Sequence, residues 1–191
     1  MNFKIINGYF PVLLSAPHAA PHVRPEFDIK NPKLNEPNTD LIVEVLCEKT
    51  GCFGIYTTKV QKVDPNWYKN SPYKKTLQKL VKRNCIKFIL DIHGAKKEKP
   101  FILEYKDFQK EKGLKGVEKN LLRCFKKFGF CKKEIIRGHR QKKEQMTIAE
   151  FCVKELKIPA LQLEINRKIR EPENPRFKSL LSALECFLKT F

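Results

Sequence analysis

Short apolar runs alternate with amphipathic segments along the chain. The apolar runs predict strands at residues 11–16, 54–60, 85–92, 101–105, 134–137 and 159–165. Apolar residues at helical spacing predict helices at residues 39–49, 114–128 and 148–156, and two more that begin at Ser71-Pro72 and Asn174-Pro175. Strands that alternate with helices predict an α/β three-layer sandwich, in which helices flank a mixed, mostly parallel sheet. We expect the strand at 101–105 to lie beside the strand at 85–92.

The length and the cysteines narrow the class of protein. The 191 residues, of which 41% are hydrophobic, predict one globular domain spanning residues 1–191. No apolar run approaches the ~20 residues of a membrane span, and residues 1–10 lack a signal-peptide pattern. The seven cysteines include no C-x-x-C pair, and most lie in apolar contexts, which is typical of buried free thiols. We therefore expect a cytoplasmic protein without a membrane partner.

The chain is strongly basic, with 39 Lys and Arg against 21 Asp and Glu and a formal net charge of +18. Lysine pairs are spread along the sequence without an aromatic-interleaved tract, so a Lys-rich surface is favoured over a nucleic-acid footprint. Steering of an anionic substrate toward a cleft is a third interpretation. Composition does not separate these three interpretations.

Three polar residues lie at or near the ends of predicted strands. His18 follows the strand at 11–16, His93 follows the strand at 85–92, and Glu164 lies near the end of the last strand. Open parallel sheets bind ligands at the carboxyl ends of their strands. Neutral imidazoles with one carboxylate leave zinc an open position for water, as in hydrolytic sites. Glu36 or Asp40 could supply that carboxylate, although Asp40 also fits a first-turn acid that stabilises the helix dipole.

Two acidic residues on these strands have competing interpretations. Asp91 precedes His93 by two residues, so both side chains lie on the same side of a strand. Asp91 could orient a ligand imidazole or cap a turn. Glu164 stands between two apolar residues near the end of a buried strand, where a carboxylate needs a partner or a role. It fits a general base beside a metal, or a structural ion pair with Arg167 or Arg170.

His22 lies four residues after His18, a spacing that on a helix would make a metal pair. Pro21 and Pro25 argue against a helix there. We therefore place His22 at the rim of the site without a role. A fourth ligand at this position would instead indicate a structural metal site.

Three short motifs resemble those of the N-formylglutamate amidohydrolase family. They are Ser15–His18 (Ser-Ala-Pro-His), Asp91–Gly94 (Asp-Ile-His-Gly) and Leu163–Asn166 (Leu-Glu-Ile-Asn). The segment Glu36–Thr39 (Glu-Pro-Asn-Thr) resembles the E-P-G-T element of the related phage-type poly-γ-glutamate hydrolases. Both families belong to the zinc-carboxypeptidase-like fold, a mixed sheet between helices. The resemblance therefore implies the same fold that the alternation of strands and helices predicts.

The resemblance also implies roles for individual residues. His18, Glu36 and His93 correspond to zinc ligands, and Glu164 corresponds to the acid/base that activates the attacking water. The segment Asp64–Trp67 is similar to a D-x-N-R element that holds a substrate carboxylate in the family. Asn66 matches that element, but Trp67 replaces its arginine. The cations that could substitute for the missing arginine are Arg140, Arg167 and Arg170.

Together, the site and the resemblance imply a zinc-dependent amidohydrolase. The expected substrate is a small acidic amide, such as an N-formyl- or N-acyl-glutamate, a γ-glutamyl amide or a peptide-like compound. The alternative is a non-catalytic protein of the same fold that binds a polyanion or nucleic acid through its basic surface. The diffuse charge pattern disfavours nucleic acid as the partner.

Overall fold

Seven strands form one sheet within residues 2–107, 115–138 and 145–191, which the computed structural model describes. The strands are β1 (Phe3–Ile6), β2 (Phe10–Ala16), β3 (Cys52–Thr57), β4 (Phe88–Ala95), β5 (Leu103–Asp107), β6 (Ile135–Arg137) and β7 (Ala160–Asn166). The α-helices are α1 (Thr39–Thr50), α2 (Pro72–Asn84), α3 (Lys115–Lys127), α4 (Ile148–Phe151), α5 (Arg167–Arg170) and α6 (Pro175–Leu188). A 3₁₀ turn at Lys132–Glu134 precedes β6, and a π-helical turn at Cys152–Leu156 continues α4.

The strands are arranged in the order β1-β3-β2-β4-β7-β5-β6. The four central strands β3, β2, β4 and β7 are parallel, whereas β1 pairs antiparallel with β3 and β5 pairs antiparallel with β7. The prediction of a mixed, mostly parallel sheet flanked by helices is therefore confirmed. The expected pairing of β5 with β4 is wrong, because β7 lies between them. β7 is buried over nearly its whole length, and such a strand needs a neighbour on each side.

β1 is an edge strand that the hydrophobic pattern did not predict. Its residues are half-buried or exposed, so they present no apolar run of the kind that marks the central strands. Lys4 on this strand points outward and pairs with Glu44 of α1. Charged side chains on edge strands are a common protection against pairing with other chains. The prediction missed β1 because its apolar pattern is weak, as is typical of a short edge strand.

Successive side chains of each central strand pack on opposite faces of the sheet, where helices cover them. Leu14 and Leu90 belong to the core beneath α1, α3 and α6, whereas Leu13 and Ile89 belong to the core beneath α2 and α4. Each fully buried leucine contributes about 1.5–3 kcal/mol to stability. On the α2 and α4 face, the buried side chains become polar toward the carboxyl ends of the strands, beginning at Asp91. The candidate site lies at this change.

Capping residues fix the helix starts that the sequence predicted. The Ser71 hydroxyl accepts a hydrogen bond from the Lys74 amide at 3.2 Å, and Pro72 occupies the first turn of α2. The Thr147 hydroxyl likewise accepts from the Glu150 amide at 3.2 Å and caps α4. Among the described residues, no helix is both long enough and apolar enough to cross a membrane.

The cysteines depart in part from the expectation of buried thiols. Cys124 of α3 and Cys186 of α6 form a disulfide, with their Cα atoms 5.8 Å apart. The two helices pack side by side, which brings two apolar-face cysteines from distant parts of the chain together. The prediction is wrong for this pair. The remaining cysteines are free, with Cys47, Cys52 and Cys152 buried and Cys85 and Cys131 exposed.

Candidate metal centre and cleft

The parallel strands β2, β4 and β7 end at the same edge of the sheet, and a cleft of about 730 Å³ opens there. His18 lies two residues after the end of β2, and His93 and Glu164 lie near the ends of β4 and β7. His93 and Glu164 are direct neighbours in the ladder between β4 and β7, so their side chains share one face. All three side chains line the cleft. The expected convergence of the three strand ends is therefore present in the fold.

Glu36 reaches this edge from the loop that connects β2 to α1. Its amide donates to the His18 carbonyl at 2.9 Å, and the Thr39 hydroxyl donates to the Glu36 carbonyl at 2.8 Å. Asn38 adopts a left-handed conformation with φ of 64°, which turns the chain from the loop into α1. These contacts fix the backbone on both sides of Glu36. Its carboxylate is thereby held over the end of β4.

The Glu36 carboxylate lies between the two histidines. Its Oε1 is 3.0 Å from Nδ1 of His18, and its Oε2 is 3.1 Å from Nδ1 of His93. The Gly94 amide also donates to Oε2 at 2.9 Å. Donor atoms of the three side chains all lie within 4.8 Å of one another. Two imidazole nitrogens and a carboxylate form a donor set that zinc prefers, so these residues fit a zinc ion. Asp40, the alternative carboxylate, does not belong to this group.

The remote nitrogen of each imidazole contacts a second, buried carboxylate. Nε2 of His18 is 2.8 Å from Oδ1 of Asp64, and Nε2 of His93 is 3.1 Å from Oδ2 of Asp91. The Ser15 hydroxyl donates to Asp91 at 2.9 Å. Such contacts fix the tautomer and orientation of metal-binding histidines. The sequence suggested this role for Asp91 but placed Asp64 only in a substrate-binding element.

The charges in this cluster shift one another's pKa values. Burial disfavours protonation of His93, but Asp91 and Glu36 outweigh burial and hold its pKa well above the usual value. The pKa of His18 is raised in the same way by Asp64 and Glu36. Burial alone would raise the pKa of Glu36, but the two histidines hold it well below the usual value. Protons and a metal ion therefore compete for the same imidazole nitrogens.

His22 is not at the rim, where the sequence placed it, but is fully buried behind His18. The two imidazole rings stack with their centroids 3.9 Å apart and an angle of 8° between their planes. Nε2 of His22 is 3.5 Å from Oδ2 of Asp64, the carboxylate that also contacts His18. Burial and the neighbouring His18 lower the pKa of His22 to about 3. His22 therefore does not complete the group formed by His18, Glu36 and His93.

Glu164 contacts a lysine that the sequence analysis missed. Its Oε1 accepts from Nε2 of Gln162 at 2.9 Å and lies 3.4 Å from Nζ of Lys106. Lys106 is 4% exposed and also lies 3.7 Å from Glu104. The sequence offers Arg167 or Arg170 as an ion-pair partner for Glu164, but in the described part of the chain the ion pair of Glu164 is with Lys106. The local sequence gives no sign of Lys106, because only the pairing of β5 with β7 brings it to Glu164.

The residues predicted to bind substrate differ in where the structure puts them and in what they contact. Asn66 lines the cleft, and its Oδ1 accepts from the Ile148 amide at 2.7 Å at the start of α4. Arg167 also lines the cleft, and its Nε donates to Glu171 at 2.9 Å. Arg140 lies outside the residues that the structure describes. Asn66 thus has a structural contact in addition to its place in the cleft.

Arg170, another candidate cation, is buried and bonded to the backbone. Its guanidinium donates to the carbonyls of Ile165, Pro37 and Ala95. It packs against Gly94, where an added Cβ would lie 2.4 Å from Nη2 of Arg170. Arg170 therefore ties the loop that carries Glu36 to the strand that carries His93, and only glycine at residue 94 leaves room for it.

Neither a protein-family model nor a curated protein matches the sequence. Solved structures of the same fold do match. A succinylglutamate desuccinylase from Chromobacterium violaceum is 15% identical, with a TM-score of 0.61 over 98% of this chain and 67% of its own. A bacteriophage poly-gamma-glutamate hydrolase is 11% identical, with a TM-score of 0.56 over 99% and 88%. A metallo-carboxypeptidase from Pseudomonas aeruginosa is 15% identical, with a TM-score of 0.63 over 98% of this chain and 60% of its own.

These similarities concern the fold. At this level of identity they show that the chain has the metallo-carboxypeptidase-like arrangement of a mixed sheet between helices, as the sequence predicted. The three neighbours carry the names of hydrolases, two of them of glutamate-containing compounds. The chain spans 60% of the length of the metallo-carboxypeptidase.

Proposed function

We propose that the protein is a zinc-dependent amidohydrolase whose active site is built by one domain spanning residues 1–191. The observation that carries this proposal is the position of the Glu36 carboxylate between Nδ1 of His18 and Nδ1 of His93. Glu164 stands next to His93 on the neighbouring strand. The residues proposed as metal ligands and the residue proposed as acid/base therefore line one cleft, which supports the proposal.

His18, Glu36 and His93 would hold the metal. Their donor set favours zinc among the divalent metals. When bound, zinc polarises a substrate carbonyl and lowers the pKa of water toward about 7. The chain contributes the orientation of the ligands, because Asp64 and Asp91 fix the two imidazole rings from behind.

Glu164 would act as the general acid and base. Its carboxylate would take a proton from the attacking water and deliver that proton to the nitrogen of the leaving amine as the amide bond breaks. Glu164 would thereby return to its starting protonation state. Gln162 and Lys106 both contact Oε1 and fix the carboxylate at the cleft wall. The burial of these neighbours keeps the carboxylate in one position.

The proposed substrate is a small acidic amide of the N-formylglutamate, N-acylglutamate or γ-glutamyl class. Lysine and arginine side chains outnumber carboxylates seven to five among the residues that line the cleft. Such a lining raises the local concentration of anions. The names of the neighbouring desuccinylase and poly-gamma-glutamate hydrolase support the same class. Asn66 and Arg167 are proposed to contact the substrate, and a role for Arg140 remains a prediction.

The proposed site of action is the cytoplasm. Five of the seven cysteines are free thiols, and three of these are buried. Free thiols are typical of reducing compartments. The disulfide between Cys124 and Cys186 lies between α3 and α6, in the core on the face of the sheet opposite the cleft.

Elemental analysis of the purified protein tests the metal centre. We expect about one zinc per chain in the wild type, and none in His93→Ala or Glu36→Gln, because each loses one of three ligands. Asp40→Asn is the matched control and should keep its zinc, since Asp40 lies outside the group. Circular dichroism verifies that each variant is folded.

Substrate screening of the zinc-loaded protein tests the reaction. We expect release of amine from N-acylglutamates or γ-glutamyl amides, and a loss of this activity in the two ligand variants. Failure of the wild type to take up any divalent metal would refute the proposal. Polyanion binding with a steep salt dependence would then become the better explanation of the +18 charge.

A further inference from the structure

An arginine on the loop between β2 and α1 stands against two aromatic rings at the cleft wall. The guanidinium carbon of Arg24 lies 5.4 Å from the ring centre of Phe27 and 5.7 Å from that of Trp67. Arg24 and Phe27 line the same cleft as His18 and Glu36. The side chain of Arg24 is 23% exposed, so it is neither at the free surface nor sealed in the core.

The guanidinium of Arg24 has aromatic neighbours but lacks a hydrogen bond at its Nε. Its Nε is buried and makes no hydrogen bond with any residue that the structure describes. Oε2 of Glu26, whose side chain is 52% exposed, lies 3.3 Å from this nitrogen as an ion-pair partner. An ion pair whose carboxylate is half in solvent is weak, so a substrate carboxylate can replace Glu26 as the partner of the guanidinium. Aromatic faces hold a guanidinium by its plane and leave the N–H donors at its edge available. A planar fork of donors held in this way fits a carboxylate with two parallel hydrogen bonds.

Backbone hydrogen bonds tie this arginine to the metal centre. The residue before it, Val23, donates its amide to the Gln61 carbonyl at 2.9 Å and accepts from the Asp64 amide at 2.8 Å. Asp64 in turn contacts His18 at 2.8 Å. The position of Arg24 is therefore fixed relative to the histidine that would bind the metal. A binding residue at a fixed position relative to the metal ligands can hold the substrate so that its scissile bond lies at the metal centre.

Three other cations that line the cleft are engaged elsewhere. Lys106 lies between Glu104 and Glu164, and the guanidinium of Arg170 donates to three backbone carbonyls. Arg167 is 55% exposed and pairs with Glu171 on its own helix turn. By contrast, Arg24 stands against two aromatic rings, and its Nε makes no hydrogen bond with the described residues.

We propose that Arg24, clamped by Trp67 and Phe27, binds the carboxylate of the substrate and sets the preference for acidic amides. This inference rests on the proposed amidohydrolase function. Trp67 then has a definite task, because its ring supplies the surface on which the guanidinium is held. The preferred substrate carries a carboxylate on the acyl or amine side of the bond that is cleaved.

Tryptophan fluorescence provides a direct test, because Trp67 is the single tryptophan of the chain. Glutarate, a dicarboxylate without an amide, is titrated into the zinc-loaded protein while Trp67 emission is followed. We expect a saturable change for glutarate and none for glutaramide, its uncharged analogue. In Arg24→Met the affinity for glutarate should fall at least about 10-fold, as expected when a charge-assisted pair is lost. Arg24→Lys should restore only part of it, because lysine cannot form the bidentate pair.

Matched controls separate this inference from the proposed reaction. Lys96→Met removes an exposed cation that lines the same cleft and should bind glutarate like the wild type. Both variants should keep one zinc per chain. Calorimetric titration repeats the measurement without relying on Trp67, since removal of Arg24 can alter its emission directly. Unchanged glutarate affinity in Arg24→Met, or an equal loss in Lys96→Met, would overturn the assignment. Hydrolysis by the wild type together with that result leaves the reaction standing and removes only the role of Arg24. If the wild type hydrolyses no substrate but Arg24→Met still loses affinity for glutarate, the proposed reaction is refuted and carboxylate binding by Arg24 stands.

Discussion

Two lysines are buried on the same side of the sheet, and they differ in what surrounds them. Lys74 of α2 is 1% exposed, and its ammonium donates to the carbonyls of Tyr68, at 2.7 Å, and Met146. The ring of Phe151 lies 5.5 Å from its Nζ. All of these partners are uncharged. Burial is accordingly the main influence on Lys74 and lowers its pKa to about 8.

Lys106 of β5 is 4% exposed, but its neighbours are the carboxylates of Glu104 and Glu164. It also lines the cleft, which Lys74 does not. The two sites show that burial of a cation does not by itself indicate function. Neutral carbonyl partners make Lys74 a tie between two loops, whereas the carboxylate partners of Lys106 line the cleft with it.

The largest effect should come from Glu164, one of the two carboxylates around Lys106. Glu164→Gln removes the proposed proton acceptor and should lower kcat by about 10²–10⁴-fold while zinc content stays the same. Glu104→Gln is the matched control, because it removes the other carboxylate beside the same lysine and should leave kcat close to that of the wild type. Steady-state kinetics on a hydrolysed acyl-glutamate measures both. Equal losses in the two variants would show that the wall acts only through its total charge.

Asp91 lies between Lys74 and the candidate metal centre and should have the next largest effect. Its Oδ2 is 3.1 Å from Nε2 of His93, and its charge also raises the pKa of Lys74, opposing burial. Asp91→Asn should weaken zinc binding by about 10–100-fold, because the imidazole loses the partner that orients it. Competition with a chromophoric chelator measures the affinity. Wild-type affinity in this variant would mean that Asp91 serves Lys74 and not the metal centre.

Replacing each lysine by methionine should separate structure from activity. Lys74→Met leaves the carbonyls of Tyr68 and Met146 without their donor and should cost about 1–3 kcal/mol of stability. Its kcat/KM per folded molecule should stay unchanged. Lys106→Met should instead lower kcat/KM, since Glu164 loses the cation that fixes it. Urea unfolding and kinetics on the same samples measure both quantities, and a fall in kcat/KM for Lys74→Met would contradict this division.

The candidate metal-binding positions could be predicted from the sequence because they depend on local order. An apolar run that ends in a polar residue indicates the carboxyl end of a strand, and parallel strands bring such ends to one edge. His18, His93 and Glu164 meet on this basis. Glu36 was one of two candidates, and the turn at Asn38 is what places it and not Asp40 at the centre.

The wall of the cleft could not be predicted, because it depends on contacts between distant segments. Lys106 reaches Glu164 only through the antiparallel pairing of β5 with β7, whereas the sequence favoured β4 as the neighbour. Arg24 meets Trp67 through the path of a loop that has no periodic pattern. His22 was misplaced for the same reason, since its burial is set by the stacking on His18.

The smallest effect is a pH dependence that should be specific to Lys74. Burial lowers its pKa from 10.5 to about 8, so between these values the unfolded chain binds more protons than the folded one. Stability contributed at this position therefore rises as pH increases from about 8 to 10.5, because the folded state no longer buries a charge. Urea unfolding at several pH values should show the wild type gaining stability relative to Lys74→Met across this window. Lys106→Met, which retains Lys74, should follow the wild type there. A constant difference between wild type and Lys74→Met would mean that the carbonyls of Tyr68 and Met146 fully offset the burial of the ammonium. Carbonyl partners would then stabilise the Lys74 ammonium as well as carboxylates stabilise that of Lys106. The difference between neutral and charged partners would no longer separate the two lysines.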